Sequence, residues 1–258
     1  MRLVDFPLVF SVISFGLLCL AAWGGMRLRH KRRMAEAAHE DFNTIQAATL
    51  TLLGLLIGFS FSMAVSRYDQ RVNLEAEEAN VIGTEYLRAD LLAKPSDVAR
   101  AHSLLVEYLD QRILFYTTRS PERREQIALK TAQLHGDLWA SVRDPAAAQP
   151  SPLSALAAAG MNEVIDSEGY TAAAWLNRIP RAAWVLLEII AVFASACVGF
   201  GISASKPYPA MFCILPLLVS ISFFLIADID SPNSGVVDIV PHNFVSLSVL
   251  LRAEPKPP

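Results

Sequence analysis

Apolar residues along the chain are gathered into four long blocks, with one extended polar stretch between the second and the third. The blocks are 8–26, 45–66, 182–205 and 207–227, and the polar stretch is 67–181. Each block is close to the roughly 20 apolar residues that a helix needs to cross about 30 Å of hydrocarbon. The pattern predicts an integral membrane protein with four transmembrane helices and one inserted extramembrane domain.

Within the polar stretch, apolar residues recur at helical spacing, as at Leu105, Leu109 and Ile113. We predict four helices here, so the fold class is all-α. Nothing breaks the pattern between the second block and the first of these helices, and the two are expected to form one continuous helix. The predicted bounds are about 67–92, 96–118, 121–142 and 153–177, with a proline-rich exposed turn at 144–152 and an irregular C-terminal tail at 228–258.

The composition agrees with a membrane protein and gives no sign of catalysis. Apolar residues make up 53% of the chain, and the formal net charge of −3 provides no basic field for nucleic acid. The histidines are scattered, the cysteines lie inside apolar blocks, and no nucleophile or phosphate-binding motif occurs. We expect no enzyme activity, catalytic residue, metal site or cofactor. The expected partner of so apolar a chain is the lipid bilayer.

Two of the predicted spans carry small residues at every fourth position. In lipid, such stripes let helices approach closely, because little hydrophobic force drives helices together there. One interpretation is packing of helices within the chain. The other is that several copies of the second span pack around a common axis, so that its other face lines a pore. The stripes are Gly54, Gly58, Ser62 and Ser66 in the second span and Ala191, Ser195, Gly199 and Ser203 in the third.

The basic residues point to an orientation in the membrane. A basic run at 27–33 lies between the first two spans, and positive loops favour the cytoplasmic side. We therefore predict a multi-pass protein of the cell inner membrane with the helical domain on the non-cytoplasmic side. Arg67, Arg71, Arg178 and Arg181 at the other membrane face nearly balance this run.

Charged residues cluster where the second span is expected to leave the membrane. Arg67, Asp69, Arg71 and Glu75 lie within the first turns beyond the apolar block. They fit a solvated helix with pairs at the i, i+4 spacing. They also fit a pore mouth, where several copies of Arg67 and Arg71 around an axis would concentrate anions.

Acidic residues inside or beside a span are further candidates. Glu188 is the one acid within an apolar block, and it fits either ion passage or pairing with Arg178 or Arg181. Asp228 and Asp230 follow the fourth span in a pattern that only partly matches a calcium loop. A structural turn is the favoured interpretation there, with weak cation binding as the alternative.

Several motifs together resemble the bestrophin-like family of bacterial membrane proteins, and the likeness covers nearly the whole chain. True bestrophins, to which that family is more distantly similar, are pentameric anion channels whose second helix carries Gly-Phe about nine positions before an arginine. Gly58-Phe59 precedes Arg67 by that spacing, whereas Tyr68-Asp69 replaces the tryptophan pair of the channels. The motifs are Leu56 to Asp69, Glu75 to Asn80, Tyr86 to Leu92, Met161 to Asp166, Asn177 to Pro180 and Asp228 to Pro232.

The resemblance implies a homo-oligomeric anion channel with small inorganic ions as its cargo. Carried over by position, the hydrophobic neck of the pore would be Thr51, Leu55 and Phe59. The resemblance also implies a cytoplasmic helical domain, which conflicts with the orientation predicted from the basic run. The competing hypothesis is a non-conducting membrane scaffold or sensor whose helical domain binds a partner or ligand.

Overall fold

The structure is a computed structural model, and it describes residues 3–31, 36–202, 209–232 and 235–253. These residues contain no strand, which confirms the all-α prediction. The junction of the third and fourth apolar blocks at 203–208 and the end of the tail at 254–258 lie outside the described residues. After a short 3₁₀ turn at Leu3–Asp5, the helices are α1 Pro7–Lys31, α2 Glu36–Ala89, α3 Pro95–Thr117, α4 Pro121–Ala148, α5 Pro152–Leu176, α6 Arg181–Gly201, α7 Pro209–Asp230 and α8 His242–Ala253.

The chain forms two compact units. Met1–Tyr68 with Arg178–Val237 make up the first, called the membrane unit below, and Asp69–Asn177 with Asp238–Pro258 make up the second, the helical unit. The predicted spans belong to the membrane unit. Helix α2 runs unbroken from Glu36 to Ala89, as its uninterrupted apolar and helical pattern predicted.

Four helical stretches are long and apolar enough to cross a membrane, and they overlap the four predicted blocks. The second stretch extends past its apolar block along the rest of α2, and the third includes α5 before α6; these added parts belong to the helical unit. All four leave large apolar side chains exposed on the surface, which is the arrangement that lipid requires. The stretches are Pro7–Arg29, Glu40–Ala89, Pro152–Gly201 and Phe212–Asp230.

The core of the membrane unit forms where α1 packs against α6 and α7. The Phe10 ring lies 5.2 Å from that of Trp184 and 6.1 Å from that of Phe223, measured between centroids. At the other end of the contact, a Cβ atom at Gly199 would overlap the Ala22 carbonyl group, and one at Gly25 would overlap the Ala196 carbonyl group. Glycine at these two positions lets α1 and α6 approach closely.

The helical unit packs α3 against α4 and α8, and α4 against α5. Helix α4 starts as the sequence suggests. Ser120 precedes Pro121, and the Ser120 Oγ accepts a hydrogen bond of 3.3 Å from the Arg123 backbone N–H. The core side chains follow the predicted helical spacing. They include Leu105, Leu109, Leu134, Leu138 and Met161, each at most 1% exposed.

The prediction of an irregular tail at 228–258 was wrong for residues 242–253, which form α8. Pro232, Gly235 and Pro241 suggested a broken chain, but Pro241 directly precedes the helix, where proline is well tolerated. Phe244, Ser248 and Leu251 then recur at helical spacing and are buried. Burial of this face supplies the stability that a short helix lacks by itself.

The predicted turn at 144–152 is also shorter than expected, because α4 continues through Pro145 to Ala148. A proline within a helix removes one hydrogen bond and crowds the carbonyl group four residues earlier, and near the end of a helix little else is lost. Three alanines with high helix propensity follow Pro145. The helix ends with a hydrogen bond of 2.9 Å from the Gln149 N–H to the Pro145 carbonyl oxygen.

Candidate functional site

One face of α2 is uncovered in the membrane unit, and it carries the residues predicted to line a pore. Leu55 is 53% exposed and Phe59 61% exposed, and Thr51 is also exposed. Ser62 and Ser66 continue the exposed face at helical spacing. The uncovered face is therefore apolar around Leu55 and Phe59, and beyond them it carries Ser62 and Ser66 beside the exposed Phe61 and Met63.

The opposite face of α2 is buried. Leu53 is 2% exposed and Ala64 is fully buried, and both belong to the core of the membrane unit. Since these residues fix the rotation of α2, the side chains at Thr51, Leu55 and Phe59 all point away from their own membrane unit.

The two small-residue stripes lie in different environments. Gly54 and Gly58 have open space where a Cβ atom would lie, and Ser62 is exposed. Ser195 is fully buried, and Gly199 lies against the Ala22 backbone of α1. The stripe on α6 is therefore filled by α1, whereas the stripe on α2 is not filled by any described residue of the same chain.

The basic residues at the predicted pore mouth are buried or paired. Arg67 is largely buried, and its Nη1 lies 3.4 Å from Oδ1 of the buried Asp230. Arg71 is 1% exposed and donates hydrogen bonds of 3.1 Å to the Ala174 carbonyl oxygen and 3.0 Å to that of Asn177. Both side chains hold parts of their own unit together and do not lie on the uncovered face.

Glu75 is buried as well, and it caps α8. Its Oε1 accepts hydrogen bonds from the backbone N–H groups of Asn243 (3.0 Å) and Phe244 (3.1 Å), and its Oε2 accepts one of 2.6 Å from the Asn243 side chain. A carboxylate at a helix N-terminus satisfies unpaired amides and interacts favourably with the helix dipole. Glu75 thus has a structural partner that the sequence pattern did not reveal.

Among the described charged residues of α2, those classed as exposed are all acidic. In the helical unit these are Asp69, which the sequence singled out, and Glu77, which it did not. Asn73, Asn80 and Thr84 lie on the same exposed face at helical spacing. Nearer the start of α2, the exposed charged residues are Glu40 and Asp41.

Glu77 also lines an open groove of about 440 Å³ between α2 and α5. The other polar groups of this groove are the side chains of Gln70, Tyr170 and Asn177, and no basic side chain lines it. Tyr170 is 67% exposed. The groove presents a carboxylate, amide and hydroxyl groups and an aromatic face, of which the carboxylate and the aromatic face favour cations over anions.

The buried face of α2 in the helical unit is held by a charged network around Glu78. Arg112 donates to both Glu78 oxygens, at 2.5 Å from Nε and 3.1 Å from Nη2, and Thr171 donates at 2.8 Å. Tyr108 donates at 3.3 Å, and its burial beside the Glu78 charge raises the pKa of the Tyr108 hydroxyl. This network fixes which face of α2 stays exposed.

Two turns further along the same face, Glu85 is fully buried without such partners. Neither carboxyl oxygen forms a hydrogen bond with any described residue, and a Cβ atom at Gly160 would overlap Glu85 Oε2. The nearby Arg88 pairs at 2.9 Å with Glu163 of α5. Burial raises the pKa of Glu85 to about 8, against the smaller opposing effect of Arg88.

The acid within the third span has a hydrogen-bond partner in α1. Ser14 Oγ donates to Glu188 Oε2 at 3.0 Å, and Glu188 lines a cavity of about 420 Å³ with Arg178 and Arg181. Arg178 itself pairs with Asp5 at 2.6 Å. The structure thus connects Glu188 directly to α1.

Asp228 and Asp230 are buried, and their oxygens accept hydrogen bonds from backbone amides. Asp228 accepts from the Val236 and Val237 N–H groups at 2.8–3.1 Å, and Asp230 accepts from the Ile179 N–H at 3.0 Å. Both carboxylates act as structural acceptors. In the part of the chain that the structure describes, no group of three or more His, Cys, Asp or Glu side chains is placed to hold a metal ion.

Comparisons with known proteins agree with the architecture. A family model described as the bestrophin-like domain matches residues 12–244. Crystal structures of a bacterial bestrophin homologue from Klebsiella pneumoniae are similar in fold. One variant aligns with a TM-score of 0.67 at 13% identity, covering 95% of this chain and 97% of that one. Another aligns with 0.63 at 15% identity, covering 95% and 99%. No curated protein matches the chain.

Proposed function

Because the chain belongs to the bestrophin-like family, we propose that it forms a homo-oligomeric ion channel whose pore is lined by α2. Small inorganic ions are its cargo, and the bilayer is that of the cell inner membrane. The observation that carries the proposal is the uncovered face of α2. A long helix with one face uncovered by the described residues of its own chain can pack with the same helix of other copies around a shared axis.

The composition of the uncovered face supports a gate. Leu55 and Phe59 are the large apolar side chains that would form rings around such an axis, with Thr51 one turn before them. Rings of apolar side chains close a pore by excluding water from it. Gly54 and Gly58 lie beside this row with open space, which suits close approach of neighbouring copies of α2.

The anion form of the hypothesis came from the resemblance to true bestrophins, with Arg67 and Arg71 as the basic residues of the pore mouth. Both side chains are engaged elsewhere, so the proposal here is an ion channel without a stated sign of charge. The orientation stays as the basic run between the first two spans predicts it, with the helical unit on the non-cytoplasmic side.

The test is ion flux through purified protein in lipid vesicles. Replacing Leu55 and Phe59 together by alanine removes most of the proposed apolar ring and should increase ion flux at least severalfold. The parent protein and the double variant are compared at equal amounts of inserted protein.

A matched control is available on α6, where Leu186 and Phe193 are exposed to similar extents, 50% and 64%. The corresponding double alanine variant removes the same atoms from a surface outside the proposed pore, and it should leave flux at the level of the parent. A Leu55/Phe59 variant that inserts normally but stays impermeable would contradict the proposal. The scaffold hypothesis would then apply.

A further inference from the structure

We infer that the membrane unit binds an anionic phospholipid in the cavity beside Glu188, with the lipid phosphate on Arg181. The cavity measures about 420 Å³ and lies where α1 and α6 begin and α7 ends. Each of these helices is long and apolar enough to cross a membrane, so the cavity lies at one end of the spans. All residues that line it belong to the membrane unit, and lipid binding there does not require that the protein conducts ions.

The charges at the mouth of the cavity leave one guanidinium group available to a ligand. Arg181 is exposed, and neither an ion pair nor a hydrogen bond joins it to the described residues. Arg178 pairs with Asp5 at 2.6 Å. Asp230 accepts a hydrogen bond of 3.0 Å from the Ile179 N–H. Because the neighbouring acids already have partners, a lipid phosphate meets Arg181 as a positive charge that no carboxylate neutralises.

The start of α6 adds attraction for an anion at the same place. Pro180 occupies the N-cap position and forms no side-chain cap. The first backbone N–H groups of a helix have no carbonyl partner within it, and the helix dipole favours negative charge at this end. Arg181 is the first residue of α6. A phosphate held by its guanidinium group is therefore also attracted by the end of the helix.

The rest of the cavity suits the apolar part of a lipid. Phe10 and Trp184 line it with aromatic rings, and Val185 lines it while remaining 57% exposed. Ile189 and Phe193 follow Val185 at intervals of four residues and are 48% and 64% exposed. They form an apolar strip that runs from the cavity along α6 toward the interior of the bilayer. An acyl chain gains contacts along this strip, whereas a soluble phosphate ion gains none.

The position of Glu188 favours an anionic lipid over a zwitterionic one. Glu188 lies two turns beyond Arg181 on the same face of α6, about 10 Å deeper along the helix axis. Its Oε2 accepts a hydrogen bond of 3.0 Å from Ser14 Oγ. The amine of a zwitterionic phospholipid lies on the water side of its phosphate, away from Glu188. Such an amine would find no unpaired carboxylate at the mouth, so the headgroup charge that the site complements is negative.

The experiment measures which lipids stay bound to the purified protein in detergent, by native mass spectrometry. Delipidated protein is titrated with dioleoyl phosphatidylglycerol, with dioleoyl phosphatidylcholine or with glycerol phosphate. We expect saturable binding of phosphatidylglycerol, weaker binding of phosphatidylcholine and no binding of glycerol phosphate. Arg181→Gln should weaken phosphatidylglycerol binding by about tenfold, because it removes a charge-assisted hydrogen bond to the phosphate.

Arg27→Gln is the matched control, since Arg27 is an exposed arginine near the other end of α1 and does not line the cavity. It removes the same charge and should leave the affinity for phosphatidylglycerol unchanged. Parental affinity in Arg181→Gln, or an equal loss of affinity in Arg27→Gln, would overturn the inference. Binding of glycerol phosphate as tight as that of phosphatidylglycerol would also overturn it and would assign the cavity to a soluble phosphate compound.

Discussion

Replacing Glu85 by glutamine should make the helical unit more stable at high pH and leave it nearly unchanged at low pH. Glu85 is fully buried, neither oxygen has a hydrogen-bond partner among the described residues, and its pKa is raised from 4.5 to about 8. The folded protein therefore holds the proton of Glu85 over a pH range in which the unfolded chain releases it. Glutamine has nearly the same shape but cannot ionise.

The sign and size follow from proton linkage. Because the pKa of Glu85 is higher in the folded protein than in the unfolded chain, the free energy of unfolding is highest below pH 4.5. It falls as the pH rises from there and levels off above about pH 8. One proton corresponds to a slope of about 1.4 kcal/mol per pH unit. Over the whole interval the loss reaches about 5 kcal/mol at most, and Glu85→Gln removes it.

The assay is thermal unfolding in detergent between pH 5 and pH 8.5, followed by the fluorescence of tryptophans that include the buried Trp175 of the helical unit. For a chain of this size, about 1 kcal/mol corresponds to a shift of about 2–4 °C in midpoint. At pH 5 the parent and Glu85→Gln should unfold within about 2 °C of each other. At pH 8 the variant should unfold several degrees higher.

The exposed Glu125 of α4 provides the control, because Glu125→Gln should shift the midpoint by little at any pH. A constant difference between parent and Glu85→Gln across the pH range would show that Glu85 titrates like an ordinary glutamate. That result would refute the reasoning from its burial and its missing partners.

Two further predictions concern the membrane unit and the topology. Gly199→Leu should lower the stability and yield of the folded protein, because the new side chain would overlap the Ala22 backbone. Gly58→Leu should leave the protomer folded and disrupt assembly of the oligomer. The two variants are compared by thermal unfolding and size-exclusion chromatography, and equal behaviour of both would contradict the distinction. A cysteine in place of the exposed Ala147 should react with an impermeant thiol reagent added outside intact cells, whereas labelling only after permeabilisation would place the helical unit in the cytoplasm.

The apolar pattern was sufficient to predict the all-α architecture. The four apolar blocks indicate contact with lipid, and the helical spacing of residues such as Leu105 and Leu109 indicates a buried helix face. Both patterns can be recognised from the composition and spacing of apolar residues alone. The continuity of α2 followed from the lack of a breaker between its apolar and polar parts. The ends of helices were harder to predict, because a proline such as Pro145 or Pro241 can end, interrupt or begin a helix depending on what packs nearby.

The charged residues of α2 show what the sequence pattern did not resolve. Arg71, Glu75 and Glu77 lie within two turns of each other, and spacing alone gives no reason to bury one and expose another. Their environments are set by groups distant in sequence: the α5 carbonyl group of Ala174 receives Arg71, and the N-terminus of α8 receives Glu75. Without α8 in the prediction, the partner of Glu75 was missing, and the exposure of Glu77 was not recognised.

If copies of α2 surround a shared axis, the mass of the purified protein in detergent is that of an oligomer. Each chain contributes 28.2 kDa. Native mass spectrometry or light scattering with correction for bound detergent gives the number of chains in the particle. We expect one closed oligomer with enough copies to enclose a pore, stable on dilution. A monomer across the accessible concentration range would leave the exposed face of α2 without an axis to line and would rule out the proposed channel.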